Sequence, residues 1–303
     1  MSDHILWFKQ LGMNDVSLVG GKNASLGEMI SALYSSGINV PDGFATSSLA
    51  FTSFLEANQL DNKIKDKLGD LNITDVKALA DTGKMIRQWI NDASFSSRFV
   101  LEVEDAYRQL QTDNKGLSVA VRSSATAEDL PGLSFAGQQE TYLNVRGPDE
   151  VVAAVCNCWA SLWTTQAISY RHQNGIPSSE VAMAGVTQRM VPSEVSGILF
   201  TANPASGERS EMIINASFGL GEAVVSGQVT PDTYVVDRES RFVKETVIGP
   251  KEQKIVSDGD QGVRLEDITD DEREASSLSD AMISELTATA LAIEKLYDGL
   301  PQD

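Results

Sequence analysis

Histidine and cysteine are almost missing from this sequence. Two of each stand in 303 residues: His4, His172, Cys156 and Cys158. A metal centre built on imidazole and thiolate needs more ligands than these, so no metal-binding side chains are expected from the residues alone. The cysteines lie in VVAAVCNCWASLW, which reads as a buried helix, where positions i and i+2 face different ways. Both are expected as packing residues, as are Trp159 and Trp163 at i and i+4 in the same segment. Basic residues are also scarce: 24 Lys and Arg against 43 Asp and Glu leave a formal net charge of -19. Nucleic-acid phosphates would be repelled, so no nucleic-acid partner is expected, and the charge serves solubility. No run of about 18 apolar residues exists to cross a bilayer, and the opening MSDHILWFKQ lacks the pattern of a signal peptide. A cytoplasmic chain without a membrane partner is expected. The GxxxxGK[ST] spacing of a P-loop, internal repeats and low-complexity tracts are absent too.

Against that background two cationic, glycine-assisted segments stand out. The first, VAVRSSATAEDLPGLSFAGQQETYLNV over 119–145, is an apolar run ending at Arg122, followed by the small residues Ser123, Ser124, Ala125 and Thr126. After an acidic turn Gly132, Ser134, Ala136 and Gly137 are small again, and Tyr142, Leu143 and Val145 resume a strand pattern. Small side chains let backbone N–H groups approach a phosphate, and an arginine at the rim supplies a bidentate fork. The pattern fits a lid over a polyphosphate; a surface Ser/Gly hairpin has the same composition. The second segment, Gly20-Gly21-Lys22-Asn23-Ala24-Ser25-Leu26-Gly27, places a lysine after flexible glycines at the head of a helical pattern through Leu26, Met29, Ile30 and Leu33. Alone, Lys22 reads as a solvated surface lysine. Two such segments in an acidic chain carry more weight than either.

Together with LWFKQLGMNDVSLVGGKNASLGEMI near the start and NASFGLGEAVVSGQVTPD further on, these stretches resemble a known family. It is the nucleotide-binding region of phosphoenolpyruvate synthase, shared with pyruvate phosphate dikinase and rifampicin phosphotransferase. The resemblance runs from about Leu6 to the last residue. CWASLWTTQAISYR and SGILFTANP suit either the first or the third of these enzymes.

Periodicity predicts helices near 25–35, 47–57, 74–93, 97–112, 149–162 and 164–173, with a strand on each side of the small-residue loop. Strands are predicted at 181–190, 196–202, 211–216, 232–237 and 241–248. The polar stretch 257–280 reads as loops around a short strand at 263–265. A last helix is predicted over 281–297 with Ile283, Leu286, Ala290, Ile293 and Leu296 on one face. The fold class is α+β, helical first and strand-rich later. The resemblance implies an ATP-grasp-like arrangement of two subdomains closing on ATP, 1–175 and 176–303, the second expected to be truncated before its last metal-binding strand.

It also implies roles for particular residues. Lys22 and Arg122 would contact the triphosphate, the loop from Ser123 would fold over it, and Gly137 and Thr141 would line the same site. Gln188 would sit beside the adenine, with backbone groups near Met190 and Val191 reading its edge. Glu222 would belong to the nucleotide cleft, although a carboxylate at a helix start is favoured there by the dipole in any case. ATP and Mg2+ are the implied cofactors, and charge neutralisation around the phosphates is the implied chemistry. The family's final Pro-Gln-Asp, matched by Asp303, continues into Ile-Glu-Trp and a Gln-x-Arg-Pro segment whose glutamate and glutamine hold magnesium; the present sequence is expected to lack both. Neither His4 nor His172 has the context of the family's carrier histidine. The phosphohistidine and pyruvate-binding domains are therefore expected as downstream partners in a longer protein. Three readings follow: the ATP-binding part of a phosphoenolpyruvate synthase-like dikinase, that of a rifampicin phosphotransferase-like enzyme, or a stand-alone, non-catalytic nucleotide-binding module.

Overall fold

Helices and antiparallel strands alternate irregularly in the computed structural model, which describes residues 3–111, 116–126, 140–177 and 181–303. The chain divides into two units, residues 1–31 with 40–190 and residues 32–39 with 191–303. In chain order the elements up to residue 190 are β1 (Ile5–Trp7), α1 (Val16–Leu33), β2 (Gly43–Thr46), α2 (Ser48–Ala57), α3 (Leu60–Gly69), α4 (Val76–Asn91), α5 (Ser97–Leu110), β3 (Val119–Ala125), β4 (Thr141–Val145), α6 (Pro148–Ala160), α7 (Thr165–Gln173) and β5 (Met183–Arg189). Beyond it follow β6 (Val195–Phe200), β7 (Glu211–Phe218), α8 (Glu222–Val225), β8 (Asp232–Asp237), β9 (Val243–Val247), β10 (Gln253–Ser257), β11 (Val263–Asp267), α9 (Asp270–Glu274) and α10 (Asp280–Leu296). The class is α+β.

Helix starts follow local chemistry. Ser47, Asp75, Ser96, Thr164 and Ser279 each accept a hydrogen bond from a first-turn N–H of the helix that follows. Those bonds satisfy donors that a helix leaves open at its start.

In the first unit all strand pairs are antiparallel and the order is β1-β2-β5-β3-β4. β5, which lies after the expected subdomain boundary at 175/176, is the central strand. One face of this sheet, with Phe44, Val119, Val121 and Met183, belongs to a large core with the helices. Trp159 of α6 is fully buried there, with the rings of Phe51, Phe54, Phe95 and Phe99 at centroid distances of 5.3–5.6 Å. Trp163, Cys156 and Cys158 are buried in the same core. Burial pushes the Cys156 thiol up to about 11, and the Cys158 thiol higher still. The other face carries Ala45 and Val186, which pack with Phe8, Leu11, Val19 and Ala24. Among the described residues no single helix is long and apolar enough to cross a membrane. The bent pair 148–163 and 165–173 passes that test only jointly, and its apolar side chains are those of the core.

The second unit holds an antiparallel sheet ordered β6-β7-β8-β9 and a separate β10-β11 hairpin. Met212, Ile214, Tyr234, Val236, Leu278 and Ile283 form its core. α10 buries Ile283, Thr287, Ala290 and Glu294, whereas Leu286 is exposed, so the expected face is corrected. An ion pair accounts for the difference. Arg238 holds both carboxylate oxygens of Glu294, Nη1 at 2.9 Å from Oε2, and also donates to the Thr201 carbonyl at 3.0 Å. That contact turns a charged position inward. The short strand predicted at 263–265 is part of β11, which pairs with β10; the loops expected around it are corrected at α9, which starts at the capping box of Thr269 and Glu272.

A second charged contact is fully buried. Lys251 Nζ lies 2.5 Å from Asp232 Oδ1, with neither side chain exposed. The ammonium also donates to the carbonyls of Gly249 and Arg273, and the carboxylate accepts from the Gly249 and Ser277 N–H groups.

Candidate functional site

The sheet register brings several of the expected residues onto one face. Directly opposed residues of an antiparallel pair point the same way, and neighbours along a strand point oppositely. Arg122 in β3 opposes Thr141 in β4 and Val186 in β5, and Ala120 opposes Gln188. Arg122, Thr141, Gln188 and Val186 therefore share a face. Val186 packs with Val19 and Ala24 of α1, so this is the face that α1 covers. Lys22 is half-buried on α1.

The glycines of the GGK segment explain how α1 comes so near. Gly20 breaks the helix with φ 75° and ψ 164°, a conformation that is essentially glycine's alone. A Cβ on it would also stand 2.6 Å from the Ser124 carbonyl oxygen and against Ser124 Oγ. The turn before Lys22 thus rests on the strand that carries Arg122, two residues before Ser124. Gly27 does similar work one helical stretch later, since a Cβ there would meet the Phe8 carbonyl at 2.6 Å.

Ser123 lies on the opposite face from Arg122. Its N–H and hydroxyl both point at the Glu140 carbonyl, at 3.3 and 3.5 Å. The Gln188 amide donates to the Pro41 carbonyl at 3.0 Å. Met190 donates its N–H to the Ser118 carbonyl at 3.0 Å, and its sulfur accepts from the Asn144 N–H at 2.8 Å. Tyr142 and Cys158 stand near Glu140; burial first, then that carboxylate, pushes both groups well above their ordinary range, while Arg122 opposes the shift at Cys158. Gly137, Gly132, Ser134 and Ala136 lie outside the described residues.

In the second unit, Val191 is 53% exposed. Glu222 opens α8 half-buried, and burial raises its carboxyl above the usual range. Asp303 is exposed and follows Gln302, whose N–H donates to Thr201 Oγ1 at 2.7 Å and whose carbonyl accepts from the Thr201 N–H at 2.9 Å. Among the described residues no three His, Cys, Asp or Glu side chains converge as a metal site would require.

Sequence reading gave Asn23 no role and took Ser124 only for its small size. Asn23 and Ser124 are both fully buried. Both stood in the quoted motifs, and the signal was a polar residue one helical position past Lys22.

The family model "Pyruvate phosphate dikinase, AMP/ATP-binding domain" matches residues 16–303. Phosphoenolpyruvate synthase of Pseudomonas aeruginosa is 44% identical over all of this chain and 40% of its own length. The Escherichia coli phosphoenolpyruvate synthase is 43% identical, covering 99% of this chain and 39% of its own. The probable phosphoenolpyruvate synthase of Archaeoglobus fulgidus is 45% identical, with coverage of 99% and 39%. The chain thus spans about two fifths of the length of these curated relatives.

Proposed function

The chain belongs to the pyruvate phosphate dikinase AMP/ATP-binding domain family, and from that membership we propose that it binds ATP as the nucleotide-binding part of a phosphoenolpyruvate synthase-like dikinase. The observation that supports this reading most is the shared face of Arg122, Thr141 and Gln188 beneath the helix that carries Lys22. In an acidic chain, Arg122 lies on that face and Lys22 on the helix above it, where glycine brings backbone close. Polyphosphate fits such a donor set: Lys22 as a point charge and Arg122 as a fork. Gln188 and Met190 are proposed for the adenine side. Val191, Glu222 and Asp303 are proposed as further nucleotide contacts on the resemblance alone, with an ATP-grasp arrangement of the subdomains.

Without three converging ligands among the described residues, magnesium fits as an ion carried in by the phosphates rather than one held by a protein cage. Bound there, it would neutralise phosphate charge during transfer. Lys22 and Arg122 would hold the phosphates in place and share that neutralisation.

Lys22→Ala and Arg122→Ala should each weaken ATP binding by about 1–3 kcal/mol, the scale of a charge-assisted contact. Titration calorimetry reads this directly, and unchanged affinity in both variants would remove the triphosphate assignment.

The proposed full reaction converts ATP, pyruvate and water to AMP, phosphoenolpyruvate and phosphate. It needs a nucleophile to carry the phosphoryl group. His4 Nδ1 is bonded to Glu102 Oε2 at 2.8 Å, and His172 ends α7. Neither adjoins the shared face in sequence or register. The chain by itself is expected to form no phosphoenolpyruvate from ATP, magnesium and pyruvate. Detection of that product by phosphorus NMR would refute the division of labour.

A further inference from the structure

Asn23 is fully buried inside α1, where a primary amide is costly unless bonded. Its Nδ2 donates to the Val19 carbonyl at 2.7 Å and to the Gly185 carbonyl at 3.4 Å. The short bond bridges the helix break, because Val19 precedes Gly20 and Asn23 follows it. The second is weak by its length, but it runs from helix to sheet. Gly185 opposes Ser123 in the register, and its neighbour Val186 opposes Arg122. A single amide therefore touches the turn that presents Lys22 and the strand that lies against Arg122. Among the described residues, Asn23 Oδ1 and Ser124 Oγ are buried without a hydrogen-bond partner. The Asn23 amide N–H groups are thus used for holding helix to sheet, while its carbonyl oxygen is a desolvated acceptor that adds nothing to stability.

We infer that Asn23 is a positioning residue for the triphosphate: it clasps the Gly20 break to β5 and so sets the separation of the Lys22 ammonium and the Arg122 guanidinium. This rests on the proposed nucleotide site. Phosphate contacts are distance-sensitive, and a cation displaced by an ångström loses much of its bond to a fixed oxygen. The adenosine portion gains nothing from Lys22, so the effect of Asn23 should be confined to ligands bearing the outer phosphates.

The test is calorimetry on the whole chain with MgATP and with AMP as probes, using Asn23→Ala, Lys22→Ala and the double variant. Asn23→Ala should weaken MgATP about tenfold, close to the loss of one net hydrogen bond's worth of alignment, and leave AMP within about twofold. The double variant should bind MgATP no more weakly than Lys22→Ala alone, because Asn23 acts through that lysine. Should Asn23→Ala not yield folded protein, Asn23→Ser is read the same way, since its hydroxyl reaches the Val19 carbonyl but not β5. Equal weakening of MgATP and AMP, unchanged MgATP affinity, or additive losses in the double variant would each overturn the inference while leaving the nucleotide site standing. If Lys22→Ala itself leaves MgATP affinity unchanged, the inference falls, and the triphosphate site falls with it only if Arg122→Ala is unchanged as well.

Discussion

Asp232→Ala is expected to lower the unfolding free energy by about 3–5 kcal/mol, the cost of leaving one member of a buried ion pair uncompensated. The Lys251 ammonium would then face only the carbonyls of Gly249 and Arg273, with no exposed surface through which water could reach it. The Gly249 and Ser277 N–H groups would lose their acceptor in the same step. Lys251→Met should cost less, because the carboxylate keeps those two backbone donors. Urea unfolding followed by circular dichroism measures both, and a loss below about 1 kcal/mol for Asp232→Ala would contradict the account. The pH dependence has a definite sign. Burial alone would raise the Asp232 carboxyl, but the Lys251, Ser277 and Gly249 hydrogen bonds together hold it below the ordinary carboxylate range. Its contribution is therefore fully present above the unfolded value of about 3.9 and is lost as pH falls through the lower folded value. Asp232→Ala should flatten the acid limb of the stability curve.

Gly20→Ala should be the most damaging single change near the proposed nucleotide site, at about 2–4 kcal/mol of stability together with a loss of ATP binding. Part of this is backbone strain of roughly 1–3 kcal/mol for a side chain in that region of φ and ψ. The rest comes from the Ser124 backbone, which cannot yield without moving β3. Gly37→Ala is the control: Gly37 also has φ 75°, but nothing lies within 4 Å of the added Cβ. It should cost about 1 kcal/mol. If the two variants melt at the same temperature, the close approach of α1 to β3 has no energetic weight.

The long amphipathic helices α4, α5 and α10 were readable because a 3.6-residue period repeats several times within each. Three strands escaped prediction, β1, β2 and β10, of three, four and five residues. β2 is buried at every position, so it shows no alternation. α3 hides for the reverse reason: only Leu60 and Ile64 of LDNKIKDKLG are buried, leaving almost no apolar stripe. α10 was found with Ile283 and Ala290 inward as they are, but Leu286 misplaced and Glu294 missed, because an inward Glu294 is legible only once Arg238 is known to face it. At the candidate site, Lys22 and Arg122 could be picked out because glycines and small residues flank them. That Arg122 and Gln188 share a face could not, since it depends on β5 pairing with β3. Asp232 lay in the quoted TPD motif as an unremarked acid, and its partner Lys251 carries no local pattern at all.

The strand order of the first sheet also bears on how the protein is made. β5 sits between β2 and β3, joining Gly43 to Gln188 and Ala120 to Gln188, yet it is the last of the five strands to leave the ribosome. Until then β1-β2, with α1 between its strands, and β3-β4 can pair only as two separate ribbons with open edges. Synthesis at about 5–20 residues per second leaves those edges waiting for several seconds while the intervening helices emerge. The nascent chain is thus most exposed to mispairing and chaperone capture just before Met183 appears, and one short segment then closes the whole sheet from the middle.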